Sequence, residues 1–163
     1  MERDPSVPGR PAETIHLQSS PETAWAALDE PEMLCRALPG CDSLEPDGPD
    51  RFRAVLSSRV AFMTVRVDVV AQYAEVDRPR HLRLVMDGSP RGLAGSFHAE
   101  IPVDIAPATG GGSDVAYSVA ITVEGALRAI AGSAIEDGLR REFAQALRTL
   151  DGQIVAGGAA TPP

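Results

Sequence analysis

The apolar period of this chain changes from two to 3.6, and that change leaves few folds open. Across residues 63–73 every odd position is apolar or aromatic: Met63, Val65, Val67, Val69, Ala71 and Tyr73. The positions between them are mostly polar, with Thr64, Arg66, Asp68 and Gln72. Such alternation marks a strand with one dry face and one wet face. The same pattern returns at Phe52, Ala54 and Leu56, at Leu82, Leu84 and Met86, and at Phe97, Ala99, Ile101, Val103 and Ile105. A last strand carries Val115, Tyr117, Val119, Ile121 and Val123. From residue 125 onward, steps of three and four take over. Leu127, Ile130, Ala134, Ile135, Leu139, Phe143, Leu147 and Leu150 form one stripe of a long helix. A sheet of amphipathic strands must have its dry face covered, and this helix is the one segment long enough to do so.

The N-terminal part supplies the remaining elements. Residues 1–12, with Pro5, Pro8, Gly9 and Pro11, read as a disordered arm. Ile15 and Leu17 alternate in a first strand. Ser19-Ser20-Pro21-Glu22 is a helix start: a serine caps, proline enters with its φ already set, and an acid sits in the first turn. That short helix buries Trp25 and Leu28; a second one runs from Pro31 to a stop at Pro39-Gly40. Residues 88–95 and 107–113 read as loops. The expected organisation is one domain over residues 13–151 and a flexible tail over residues 152–163.

Charge narrows the partners. The net charge is −8, which disfavours nucleic acid and anionic membrane surfaces. All 15 basic residues are Arg, so Schiff-base and P-loop lysine chemistry are excluded. No leader-like apolar segment opens the chain and no stretch approaches a membrane span, so a cytoplasmic location is expected. Cys35 and Cys41 form no C-x-x-C and have no histidine nearby; two reduced, buried thiols are the expectation.

Three blocks then resemble one family. Pro31-Glu32-Met33-Leu34-Cys35-Arg36-Ala37-Leu38-Pro39-Gly40-Cys41 is the most specific. Pro21-Glu22-Thr23-Ala24-Trp25 precedes it, and Val123-Glu124-Gly125-Ala126-Leu127 leads into Gly132-Ser133-Ala134-Ile135. Together they resemble the CoxG family, that of the carbon monoxide dehydrogenase G subunit, within the START-like helix-grip superfamily, over roughly residues 13–150. The resemblance implies an α+β fold, in which a curved antiparallel sheet of about seven strands wraps a long C-terminal helix. It further implies an apolar cavity between the two and service to a molybdenum hydroxylase, by membrane anchoring or by quinone delivery. Ala61-Phe62 stands where members often carry Gly-Pro, and the last residues offer no stable membrane anchor. Relatives in the superfamily include polyketide cyclases and aromatases, which is the alternative reading. A homodimer is left open.

The candidate lining follows from strand and helix parity. Val65, Val67, Phe97 and Ile101 come from the middle strands, Tyr117 and Ile121 from the last. Leu127, Ile130 and Ile135 come from the helix, with Gly132 among them as a residue that leaves room. Tyr73 and Tyr117 carry the inward hydroxyls, each able to meet a ligand carbonyl or a backbone group. In a cyclase they would act with Arg53, provided that a bulge turned Arg53 inward. His98 and Glu100 share the outer face and read as a solvated pair. No metal triad, Ser–His pair or paired carboxylate falls on the inner face, and no cofactor is implied.

Overall fold

The computed structural model describes residues 13–160 apart from residue 61, and within that range the side chains of residues 58, 60, 130, 131, 133 and 157–160 lie outside the description. The expected arm, residues 1–12, lies outside the described residues. The chain runs β1 (Glu13–Leu17), α1 (Pro21–Leu28), α2 (Pro31–Ala37), β2 (Cys41–Pro46), β3 (Arg51–Val60), β4 (Met63–Asp77), β5 (His81–Pro90), β6 (Ser96–Pro107), β7 (Ser113–Tyr117), β8 (Ala120–Glu124) and α3 (Ala126–Ala160). One antiparallel sheet takes the order β1-β7-β6-β5-β4-β3-β2, with β8 also on β6. This is the α+β architecture expected.

Strand parity sets which side is dry. On β4, Val65, Val67, Val69 and Tyr73 are buried; on β6, Ala99, Ile101, Val103 and Ile105 are. The α1 start also forms as read: Ser20 Oγ accepts from the Thr23 amide at 3.2 Å, with Pro21 at the first helical position.

α3 is fastened at both ends. At its start, the Leu127 amide donates to the Ala94 carbonyl at 3.0 Å. There Gly125 (φ +76°) crosses Gly95 (φ +126°), and a Cβ on Gly125 would stand 2.7 Å from the Gly95 Cα. Both φ values lie where side chains are disfavoured, so only glycine fits this crossing. Near its other end, the buried Asp151 carboxylate accepts from the Gln18 amide (2.9 Å), the Ser19 amide (3.1 Å) and the Ser19 hydroxyl (2.7 Å). Ser113 Oγ, fully buried, donates to the Ser19 carbonyl at 2.5 Å. One carboxylate thus ties α3 to the β1–α1 corner, and a serine from β7 closes the same knot.

Four expectations are corrected. The last strand is two strands, β7 and β8, in one register along β6. The gap falls opposite Ile101 and Pro102, and a proline has no N–H to give to a ladder. β5 continues through Gly88 to Pro90 instead of ending in a loop, because Gly88 pairs with Phe97. α3 runs past Asp151 to Ala160 instead of fraying, since Ile154 packs on Ala27, Ala37 and Leu150 beside Met33 and Leu34. Cys35 and Cys41 are bonded to each other as a disulfide. The Leu38-Pro39-Gly40 turn folds β2 back on α2 and brings their Cα atoms to 5.3 Å, within bridging range.

Replacing Asp151 with Ala removes three hydrogen bonds to a charged acceptor and leaves the buried Ser19 groups unpaired. The expected loss is about 3 kcal/mol, read as a lower urea midpoint, with Asp151→Asn intermediate. An unchanged midpoint would show that the helix is held elsewhere.

Candidate functional site

The inner face carries an apolar patch that α3 covers incompletely. Buried Ala54, Val65, Val67 and Val69 form its base. Leu56, Met86, Phe97 and Ile135 pack on that base and stay half-buried. Phe97 owes its position to its neighbour: a Cβ on Gly88 would run into the Phe97 ring, so the ring lies over a residue without a side chain. Leu56 and Met86, read only as inward strand positions, join the patch without having been candidates, and Gly88 is missed because a glycine at the end of an alternating run reads as the start of a loop. At the tip of the β3–β4 hairpin, beyond Val65, Phe62 and Met63 are 87% and 48% exposed.

The residues expected to line a cavity do not all meet. Val65, Val67, Phe97 and Ile135 meet in the patch. Ile101 and Tyr117 belong to a separate core with Trp25, Leu82, Phe143 and Leu147. Ile121 is half-buried on β8, opposite Ala99, and Leu127 is buried at the glycine crossing. The Ile130 side chain lies outside the described residues. Gly132 is half-buried, and among the described residues a Cβ there would meet only Arg128 Cγ, at 3.6 Å. Close packing on α1 is thus not the reason for a glycine here.

The groups put forward for catalysis do not converge. Tyr73 Oη donates to the Leu28 carbonyl at 2.8 Å, and burial raises its pKa. Tyr117 Oη donates to Glu13 Oε1 at 3.1 Å; burial and that carboxylate push its pKa up to about 12. Arg53 points to solvent and pairs with Asp47 at 3.0 Å, because β3 pairs with β4 without the bulge that would turn it inward. The bulge of this region is in β2, between Cys41 and Ser43.

The outer face holds a charged network. His98 Nδ1 lies 2.7 Å from Asp87 and Nε2 lies 2.9 Å from Glu100. A neutral imidazole has one N–H, so two carboxylate partners favour the imidazolium. Glu100 and then Asp87 accordingly raise the His98 pKa, and His98 followed by Arg83 lowers that of Glu100. Arg83 continues the chain to Glu75, at 3.2 Å. Asp68 and Arg66 share this face but pair elsewhere, with Arg91 at 2.8 Å and Asp42 at 3.5 Å.

A second concavity opens beside the sheet. It is a groove of about 550 Å³ between β1 and α3. Glu13, Thr14, Ile15 and Tyr117 form one wall; Asp137, Arg140, Arg141, Ala144, Gln145 and Arg148 form the other.

Comparison with known proteins agrees with this architecture. A family model for the carbon monoxide dehydrogenase G subunit (CoxG) matches residues 14–155. A conserved protein of Geobacillus kaustophilus has a TM-score of 0.78 at 23% identity, over 89% of this chain and 94% of that one. A Thermus thermophilus protein gives 0.63 at 15% identity, over 92% and 98%. A Mycobacterium smegmatis protein gives 0.64 at 12%, over 90% of both. Identities this low speak for a shared fold alone. No curated protein matches the chain.

The network makes a pH-dependent contribution to stability. His98 has a raised folded pKa, so its contribution is whole below the ordinary value of 6.5 and is lost as pH rises through the folded value. Glu100 acts at the other end: its contribution is present above 4.5 and is lost as pH falls through its lowered value. Urea midpoints of the wild type should therefore decline above neutrality, and His98→Gln should flatten that limb. Parallel curves for the two proteins would refute the assignment.

Proposed function

This chain belongs to the CoxG family, that of the carbon monoxide dehydrogenase G subunit, and from that premise we infer that it binds and carries a hydrophobic, ring-containing small molecule of quinone type between its sheet and α3. The observation that carries this reading is the patch of Leu56, Met86, Phe97 and Ile135, apolar side chains that sheet and helix leave partly uncovered. Contiguous apolar surface of this kind is costly in water and is stabilised by a guest. A ring that buries 150–250 Å² gains about 4–6 kcal/mol at ~25 cal/mol per Å². Gly132 supports the reading as a helix position three residues from Ile135 where a Cβ would meet little.

The carrier would serve a molybdenum hydroxylase of the carbon monoxide dehydrogenase type in the cytoplasm. No helix among the described residues is long and apolar enough to cross a membrane. Alkylation of Cys35 and Cys41 in intact host cells tests the compartment. Free thiols fit the cytoplasm; an intact disulfide places the protein in an oxidising space.

Decylubiquinone tests the cargo. Trp25 is the single tryptophan, it is buried in the core, and among the described residues its Nε1–H has no hydrogen-bond partner. Its emission should be quenched saturably by the quinone. Gly132→Leu, which fills the open space with the fold kept by circular dichroism, should weaken binding about tenfold, equivalent to about 1.4 kcal/mol. Absence of saturable quenching in the wild type, or unchanged affinity in the folded variant, would overturn the proposal.

A further inference from the structure

The groove between β1 and α3 has a different chemistry from the inner patch, with which it shares no residue. Its α3 wall repeats at three and four residues: Asp137, Arg140, Arg141, Ala144, Gln145, Arg148. Three guanidinium groups therefore line one face of a helix, on a chain whose net charge is −8.

The three differ in their surroundings. Arg140 is only 14% exposed and is held by Glu136 at 3.3 Å, Asp137 at 3.6 Å and Glu13 at 3.9 Å. Arg141 and Arg148 are exposed, and among the described residues neither has a carboxylate within 4.0 Å. Arg148 is close enough to Tyr117 to oppose the rise in its pKa, so its charge bears on the tyrosine end of the groove. The Glu142 charge acts on Arg141, so in a protein with an excess of acids Arg148 is the guanidinium of this groove best placed to meet an anion.

The lining limits which anion fits. Counting Arg140, Arg141 and Arg148 against Glu13 and Asp137, the walls carry a net single positive charge. That balance suits a monoanion and repels a dianion from the two acid positions. Half-buried Ala144 and, beneath it, the buried Ile15 and Tyr117 give the groove an apolar part. The volume, about 550 Å³, lies within the range of small-molecule sites.

We propose that this groove is a binding site for a small amphipathic carboxylate. Its head group pairs with Arg148, and its apolar body lies along Ile15 and Ala144. Guanidinium meets carboxylate through two parallel hydrogen bonds, which gives a carboxylate head an advantage over a neutral one of the same shape. Since every cation of the groove is a guanidinium, binding should hold its strength as pH rises through neutrality.

Sodium octanoate, 1-octanol and inorganic phosphate distinguish the parts of this site. Titrated into the isotope-labelled full chain, octanoate should saturably shift the amide and methyl signals of Ile15 and Ala144. Octanol and phosphate should each bind at least about tenfold more weakly. Arg148→Gln, at an exposed position that leaves the fold intact, should weaken octanoate about tenfold and leave octanol unchanged. Ala144→Leu, which fills the apolar part, should weaken both. Equal affinities for octanoate and octanol, phosphate binding as tightly as octanoate, or shifts that appear at Val65 and Phe97 instead would each overturn the proposal. None of those results bears on decylubiquinone and the inner patch, so the two sites stand or fall separately.

Discussion

Everything on the inner side of this protein depends on how α3 is held. Asp151 fixes one end to the β1–α1 corner through three hydrogen bonds, and the Gly95–Gly125 crossing fixes the other against the β5–β6 loop. The helix need not be glued to the sheet along its length. Near Ile135 it leaves apolar side chains half-buried, whereas Leu139, Phe143 and Leu147 pack into the core further along.

The two faces of the sheet divide the work. Charged groups that look reactive in the sequence satisfy one another on the outer face: His98 with Asp87 and Glu100, Arg53 with Asp47, Arg91 with Asp68. Inward tyrosine hydroxyls are spent on Leu28 and Glu13. Among the described residues, what these pairings leave on the inner face is apolar surface.

Much of this is legible in the chain. Period-two alternation locates β3, β4 and β6 and their dry faces, and the Ser-Pro-Glu start locates α1, because each depends on residues close in sequence. The misses share a cause: each depends on a partner far away. Gly88 looks like a loop residue until Phe97 lies over it. The break between β7 and β8 becomes visible only beside Pro102 of the neighbouring strand. Residues beyond Asp151 look like a frayed tail until α2 presents Met33 and Leu34 to Ile154. The inward parity of Tyr73 and Tyr117 is readable, but the acceptors of their hydroxyls are not. Spacing alone leaves Cys35 and Cys41 as separate thiols, whereas the Pro39-Gly40 reversal brings them together.

Gly88 and Phe97 make one variable out of two positions. Any side chain at 88 would evict the aromatic ring from its seat on β5 and drive it toward the helix. Enlarging 88 while trimming 97 would keep the volume but replace a flat floor with a knobbly one. The pair therefore sets the contour of the apolar patch, and under the proposed function selectivity among guests of different outline would be retuned there by coupled exchange of bulk between facing strands.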